Sequence, residues 1–153
     1  MKKLILFSLL LSAPVVFAQK VNSDNLPEPV KTAFKAKFAG VKKAKWEMDY
    51  ENYEADFKYN KNEMSATFDK TGKWLETEYM VLPSSLPQAV KDYMNSNFAG
   101  FEIKEAEKVE TADKGILYEL DIKKGEAKYE ISISETGKLI SRTDANADEK
   151  PKY

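Results

Sequence analysis

The sequence predicts an α+β protein built from two tandem repeats, each an α-helix followed by four antiparallel strands. A duplication carries this prediction. Segment 26–40 returns as 86–100 with seven of fifteen aligned positions identical, whereas about one identity is expected by chance. Farther on, segment 53–58 returns as 118–123. Tandem copies of one unit fix the architecture before local propensities are weighed.

The N-terminus has the features of a secretion signal. In residues 1–18, two lysines precede an apolar run (4–11), and a small-residue cleavage site ends at Ala18. An uncleaved membrane anchor is the alternative, but it needs a longer apolar run. Cleavage predicts a periplasmic or secreted protein with no membrane contact, beginning with an N-terminal extension (19–25).

Each repeat is expected to begin with a helix of about 13 residues, roughly 20 Å long. Asn25 and Ser85 are placed to cap the two helices, and each precedes a Leu-Pro pair. Gly40 and Gly100 stand where a left-handed residue would end each helix. Apolar residues recur at helical spacing between these limits: Val30, Ala33, Phe34 and Phe38, then Val90, Tyr93, Met94 and Phe98.

After each helix the apolar residues recur at every second position, as in antiparallel strands with one dry and one wet face. Repeat 1 is assigned to residues 26–82 and repeat 2 to residues 83–143. Because the joint between them is short, the simplest arrangement is one sheet of eight strands with both helices packed on one face. The opposite face is then open and charged. Residues 144–153 lack an apolar pattern and are expected to be disordered.

The composition bounds both stability and function. The chain has no Cys, so an exported protein must be stabilised by packing alone, and we expect the repeats to share a core. It also has no His, the commonest general base and metal ligand. No glycine-rich phosphate loop is present. These features predict a protein that is not an enzyme and needs no cofactor.

The charge balance disfavours nucleic acid and anionic membranes as partners. Without Lys2 and Lys3, 22 basic residues stand against 25 acidic ones, a net charge of −3. Arg142 is the sole arginine, so bidentate recognition of phosphate or carboxylate is scarcely available.

One acidic run is a candidate Ca²⁺ site, since that ion prefers oxygen ligands. Its members are Asp49, Glu51, Glu54 and Asp56. A solvated strand face that carries alternating charge explains the same residues without an ion. The corresponding residues Glu119 and Asp121 in repeat 2 favour this second interpretation.

Two aromatic residues are candidate anchors for a protein partner. Trp74 follows a turn and Tyr50 lies in an expected hairpin, so either side chain could be exposed. The alternative for both is that they cover the sheet edge against the helix. The other candidate contacts are charged residues of the open face: Glu54, Asp56, Glu119 and Asp121.

The motifs together resemble a known family. Leu-Pro, a helix ending in Phe-Ala-Gly, Tyr-Glu-Ala-Asp-Phe and Phe-Asp-Lys-Thr-Gly-Lys-Trp are similar to those of the PepSY-like, β-lactamase-inhibitor-protein-like periplasmic proteins of Bacteroidetes. The resemblance covers about residues 24–143. It implies sheet faces that combine into a concave surface and, by analogy, bind another protein. No functional residue is carried over, because β-lactamase inhibitor proteins use disulfides and this chain has no Cys.

The sequence therefore predicts an exported, non-enzymatic binding module, a monomer or weak dimer. Its open sheet face would engage an unidentified extracytoplasmic protein, with inhibition as one form of that role. The alternative is a solute- or Ca²⁺-binding periplasmic protein.

Overall fold

The strands form one continuous antiparallel sheet whose spatial order follows the chain from first to last. The computed structural model describes residues 19–145; the predicted signal peptide (1–18) and the end of the predicted tail (146–153) lie outside the described residues. The helices are α1 (Glu28–Lys37) and α2 (Gln88–Asn97). The strands are β1 (Gln19–Val21), β2 (Ala44–Asp49), β3 (Asn52–Tyr59), β4 (Asn62–Asp69), β5 (Trp74–Met80), β6 (Glu102–Thr111), β7 (Gly115–Lys124), β8 (Ala127–Ser134) and β9 (Leu139–Asp144).

Both helices pack on the same face of this sheet, as predicted. α1 buries Phe34 against β2, β3 and β4, and α2 buries Met94 against β6, β7 and β8. The strand register shows that the two helices contact the same face. Ala66 in the first core pairs with Thr77, and the row of paired residues continues across the sheet to Ile116, which packs against the second core. The opposite face of the sheet is therefore formed by the alternate residues of β2–β9 whose side chains point away from the helices.

The two repeats share a sheet but not a core, so the prediction of a common interior is wrong. One apolar cluster lies under α1 and a separate one lies under α2. Between them, the helix-side positions of β5 and β6 are mostly polar, which interrupts the apolar layer: Thr77, Tyr79, Lys108 and Glu110. Where β5 meets β6, the halves are joined by the backbone ladder, by these polar side chains and, on the opposite face, by pairs such as Glu78 and Val109. Val81, which follows β5, also packs against the core under α2.

The helices differ from prediction at their ends. Each has ten residues rather than about 13. Pro27 and Pro87 occupy the N-cap positions without a side-chain hydrogen bond, so the predicted caps Asn25 and Ser85 are wrong. Both predicted caps lie in short 3-10 turns, where the Ser85 hydroxyl donates instead to the carbonyl oxygen of Leu82.

The ends of the sheet also extend beyond the prediction. β1 adds a ninth strand from within the predicted extension, pairing antiparallel with β2. At the other edge, Asp144 closes β9 rather than beginning a disordered tail. Neither strand end has the alternating apolar pattern that identifies a strand in a sequence.

Two equivalent turns bring the sheet into direct contact with the helices. In the β4–β5 turn, Asp69 Oδ1 accepts hydrogen bonds from the backbone N–H groups of Thr71 (2.8 Å) and Lys73 (3.0 Å). A Cβ on Gly72 would lie 2.5 Å from the carbonyl oxygen of Pro29 in α1. A Cβ on Gly137, in the β8–β9 turn, would likewise lie 2.7 Å from the carbonyl oxygen of Ala89 in α2. Glycine at each turn permits direct contact with the first turn of a helix.

Candidate binding face

The sheet face opposite the helices carries the candidate site. Both helices lie on the other side, and no other helix or strand of residues 19–145 lies over this face. We call it the open face.

Carboxylates from neighbouring strands meet in the middle of the open face. Glu107 of β6 pairs directly with Glu119 of β7. On β5, Glu76 and Glu78 project to the same side, and Thr67 connects Glu76 to Glu54 of β3. We call these residues the acidic patch: Glu54, Glu76, Glu78, Glu107 and Glu119.

Several residues of the open face are buried although no described element covers them. Glu54 is 9% exposed and Glu78 7%, and their neighbours Ser65 and Val109 are 1% and 2% exposed. A flat, uncovered sheet face would leave such positions open to water. The burial shows that neighbouring side chains close over these positions, so the acidic patch is recessed.

Burial changes the acidity of the patch. It raises the pKa of Glu78 to about 8, and the nearby carboxylates of Glu76 and Glu119 add to the effect. It raises the pKa of Glu119 to about 7, with Glu107 as the next largest cause. Burial also raises the pKa values of Glu76 and Glu107. At neutral pH the patch therefore holds protons that free glutamates would have lost.

Among the described residues, no ion pair within 4.0 Å involves the glutamates at the centre of the patch: Glu76, Glu78, Glu107 and Glu119. Positive charge lies around the patch instead. The charge of Lys114 acts to lower the pKa of Glu76, and the strands place further lysines on the same face: Lys20, Lys45, Lys58, Lys123 and Lys128. The patch is therefore a concentration of carboxyl groups with lysines at its borders.

A buried hydroxyl lies beside the patch. Ser132 of β8 pairs with Glu119 on one side and with Ser141 on the other, so it lies on the open face. It is 6% exposed, and its Oγ has no hydrogen-bond partner among residues 19–145. Buried hydroxyls without a partner are uncommon because each loses its hydrogen bonds to water.

The structure places the predicted charged contacts together but separates the aromatic ones from them. Glu54, Asp56, Glu119 and Asp121 all lie on the open face, and Glu54 is buried rather than solvated. Burial raises the pKa values of the two aspartates. The role of these four residues in partner binding stays a prediction.

The aromatic candidates lie elsewhere. Tyr50 occupies the β2–β3 turn with 53% of its surface exposed and a left-handed backbone (φ 53°). Trp74 is half-buried on the helix side, where its ring lies 3.6 Å from Lys37 Nζ and its Nε1–H donates to Thr77 Oγ1. Trp74 therefore contacts α1 from the middle strand of the sheet, and its role as an anchor for a partner stays a prediction.

The residues of the candidate Ca²⁺ site are dispersed. Glu51 lies in the β2–β3 turn, 4.0 Å from Lys70 Nζ, whereas Glu54 and Asp56 lie on β3. The backbone of Asp49 pairs with Asn52, and its side chain is outside the described part of the chain. Within that part, no group of three or more acidic residues could hold a metal ion. The Ca²⁺ site stays a prediction.

Sequence reasoning missed Glu76, Glu78 and Glu107. The alternation of Glu76, Thr77 and Glu78 could have placed the two glutamates on one face of β5. Their burial had no sequence signal, because it depends on side chains from several neighbouring strands.

The fold and face define a class of open-sheet module built from two helix-and-strand repeats. None of the described helices is long and apolar enough to cross a membrane. The chain belongs to the family described as "Putative beta-lactamase-inhibitor-like, PepSY-like", whose model matches residues 16–64 and 51–141. No curated protein matches the sequence.

Solved structures share this architecture. A BLIP-like protein from Bacteroides fragilis has a TM-score of 0.71 and 22% identity, over 84% of this chain and 92% of that chain. A DUF2874 family protein from Bacteroides uniformis has a TM-score of 0.73 and 20% identity, over 80% and 91%. A structure from Bacteroides eggerthii, described as "putative periplasmic proteins", has a TM-score of 0.71 and 19% identity, over 78% and 88%. At these identities the likeness establishes the fold.

Proposed function

We propose that this protein is a periplasmic, non-enzymatic binding module whose open face engages a protein partner. One observation carries the proposal: a nine-stranded sheet keeps one face free of described elements and places recessed polar and charged groups at its centre. A face that served only solubility would expose its carboxylates to water, where their charged form carries no desolvation cost.

The composition and the comparisons support the same function. Without His, the chain lacks the commonest general base, and without Cys it has no thiol nucleophile. The secretion signal in the sequence agrees with the periplasmic description of a structural neighbour. The inhibitor-like name of the family supports inhibition of an extracytoplasmic enzyme as one form of the binding role.

Site-specific photo-crosslinking tests this proposal. A benzoylphenylalanine at Thr67 places the reactive group on the open face, and one at the exposed Asp92 of α2 is the matched control on the helix side. We expect a covalent adduct in periplasmic extract from the Thr67 position only. The identified protein, once purified, should then form a stoichiometric complex with the wild-type chain. Equal adducts from both positions, or no complex between the purified proteins, would contradict a binding role for the open face.

A further inference from the structure

We infer that the acidic patch binds a lysine- or arginine-bearing segment of the partner protein, laid in extended form across strands β3 to β7. This inference rests on the proposed function and adds the chemistry of the partner. Its basis is the placement of carboxylates and an unsatisfied hydroxyl on one face.

Charge is the first argument. Glu76 and Glu78 on β5, Glu107 on β6 and Glu119 on β7 form no ion pair with any described cation. Like charges on adjacent strands destabilise a sheet unless something compensates them. In the free protein, protons retained by Glu78 and Glu119 reduce this repulsion. Basic side chains from outside would replace those protons and compensate the ionised carboxylates.

The unsatisfied hydroxyl is the second, independent argument. Ser132 Oγ is buried without a partner and lies directly across from Glu119. A hydroxyl in that position can accept a hydrogen bond from an ammonium or guanidinium group. A basic side chain held by Glu119 would thus also satisfy Ser132 and remove the cost that a buried, unpaired polar group carries.

The extent of the patch favours a chain segment over a small ion as its ligand. Its carboxylates come from β3 to β7, and strands about 4.8 Å apart place the outer members roughly 19 Å from each other. Ca²⁺ requires its ligands around one point at 2.3–2.6 Å, and no described group of acidic residues has that arrangement. An extended chain advances about 3.3 Å per residue, so about six residues span the patch with alternate side chains facing it.

Calorimetric titration with a defined peptide tests the inference. The probe is the capped hexapeptide Arg-Ser-Arg-Ser-Arg-Ser, and its control replaces each arginine with citrulline, which keeps the shape and removes the charge. At pH 8 and low salt we expect the arginine peptide to bind at least tenfold more tightly than the citrulline peptide. Equal affinities would overturn the inference.

Matched variants assign the binding to the patch. Glu78→Gln with Glu119→Gln removes two charges from it and should weaken the arginine peptide at least tenfold. Asp92→Asn with Glu135→Gln removes two exposed charges elsewhere and should change affinity less than twofold. Thermal melts establish that both variants fold. If the two double variants weaken binding equally, the attraction is non-specific and the inference is wrong.

Two further results separate this inference from other outcomes. Spermidine or CaCl₂ that binds more tightly than the peptide and displaces it would identify a small cation as the ligand, overturning the inference. A crosslinked partner that forms a complex unaffected by Glu78→Gln with Glu119→Gln would also overturn it, while the proposed function would stand. Peptide binding at the patch without any crosslinked partner would contradict the proposed function instead.

Discussion

Glu78 occupies an environment that opposes its usual charged state. It is 7% exposed, and the groups that perturb it are all carboxylates: Glu54, Glu76, Glu107 and Glu119. Burial disfavours the ionised form because it removes water, and like charges disfavour it further. The residue therefore keeps its proton in the free protein at pH values where an exposed glutamate is ionised.

This environment makes stability depend on pH. The pKa of Glu78 is about 8 in the folded chain against 4.5 without these influences, so between these values the folded state binds more protons than the unfolded state. The free energy of unfolding must then fall as pH rises through that window. We expect the melting temperature of the wild type to be lower at pH 8.5 than at pH 5.5.

Glu78→Gln should reduce that dependence. A neutral amide of the same shape removes the cost of ionising the site, so we expect stability at pH 8.5 to rise by about 2 kcal/mol, with little change at pH 5.5. Glu63→Gln is the control, because Glu63 is exposed and pairs with Lys58 at 3.5 Å. Urea unfolding at both pH values measures the difference. An unchanged pH dependence in Glu78→Gln would show that Glu78 is ionised and solvated.

The sequence predicted the placement of these residues better than their environment. Period-two alternation assigned Glu54 and Glu119 to the open face, where they lie. Alternation reports which side of a strand a residue faces and nothing about what surrounds it. The burial of Glu54 and the unpaired hydroxyl of Ser132 depend on side chains from several strands, and one sequence cannot show that convergence.

At the scale of elements, the turn between β4 and β5 couples the sheet to α1. Gly72 has a left-handed backbone (φ 83°), and an added Cβ would lie 2.5 Å from Pro29 O. Gly72→Ala should therefore both strain the turn and push the helix from the sheet. We expect a loss of about 2–4 kcal/mol in the free energy of unfolding.

Gly115 supplies the matched control for that substitution. Its backbone is also left-handed (φ 74°), but nothing lies within 4 Å of the position of an added Cβ. Gly115→Ala should cost only the conformational strain, about 1 kcal/mol. Equal losses in the two variants, measured by urea unfolding, would mean that the contact with Pro29 contributes nothing.

Prediction succeeded for elements with a long, regular pattern and failed at their ends. The stripe from Val30 to Phe38 predicted α1, and alternation predicted β3, because each pattern persists over several residues. β1 has three residues, too few to show alternation, and only its pairing with β2 makes it a strand. The caps failed because the prolines at 27 and 87 took the N-cap positions instead.

At the scale of the whole molecule, one sheet joins two independent cores. Phe34 is the centre of the first core, since its ring contacts those of Phe38, Trp46, Phe57 and Phe68 at centroid distances of 5.1–6.2 Å. The second core, under α2, contains none of these residues. A defect in one core should therefore act mainly on its own repeat.

Phe34→Ala should separate the unfolding of the two repeats. The substitution is expected to cost about 3–5 kcal/mol in repeat 1. Both tryptophans, Trp46 and Trp74, lie in that repeat, so tryptophan fluorescence reports its unfolding alone while calorimetry reports both. We expect the fluorescence transition of Phe34→Ala to precede the main calorimetric transition.

Leu120→Ala is the reciprocal variant, because Leu120 is 1% exposed in the second core. Here the fluorescence transition should follow the first calorimetric one. If fluorescence and heat absorption coincide in both variants, the pairing of β5 with β6 transmits the full loss, and the repeats unfold as a single cooperative unit.

The protonated glutamates of the open face hold protons that the unliganded protein can release when a ligand binds. A cation that docks there favours the ionised carboxylates and must expel the protons that burial retained. Association would then acidify an unbuffered solution, and its measured heat would vary with the ionisation enthalpy of the buffer. Titrations in phosphate and in Tris at one pH would count the protons released for each complex formed.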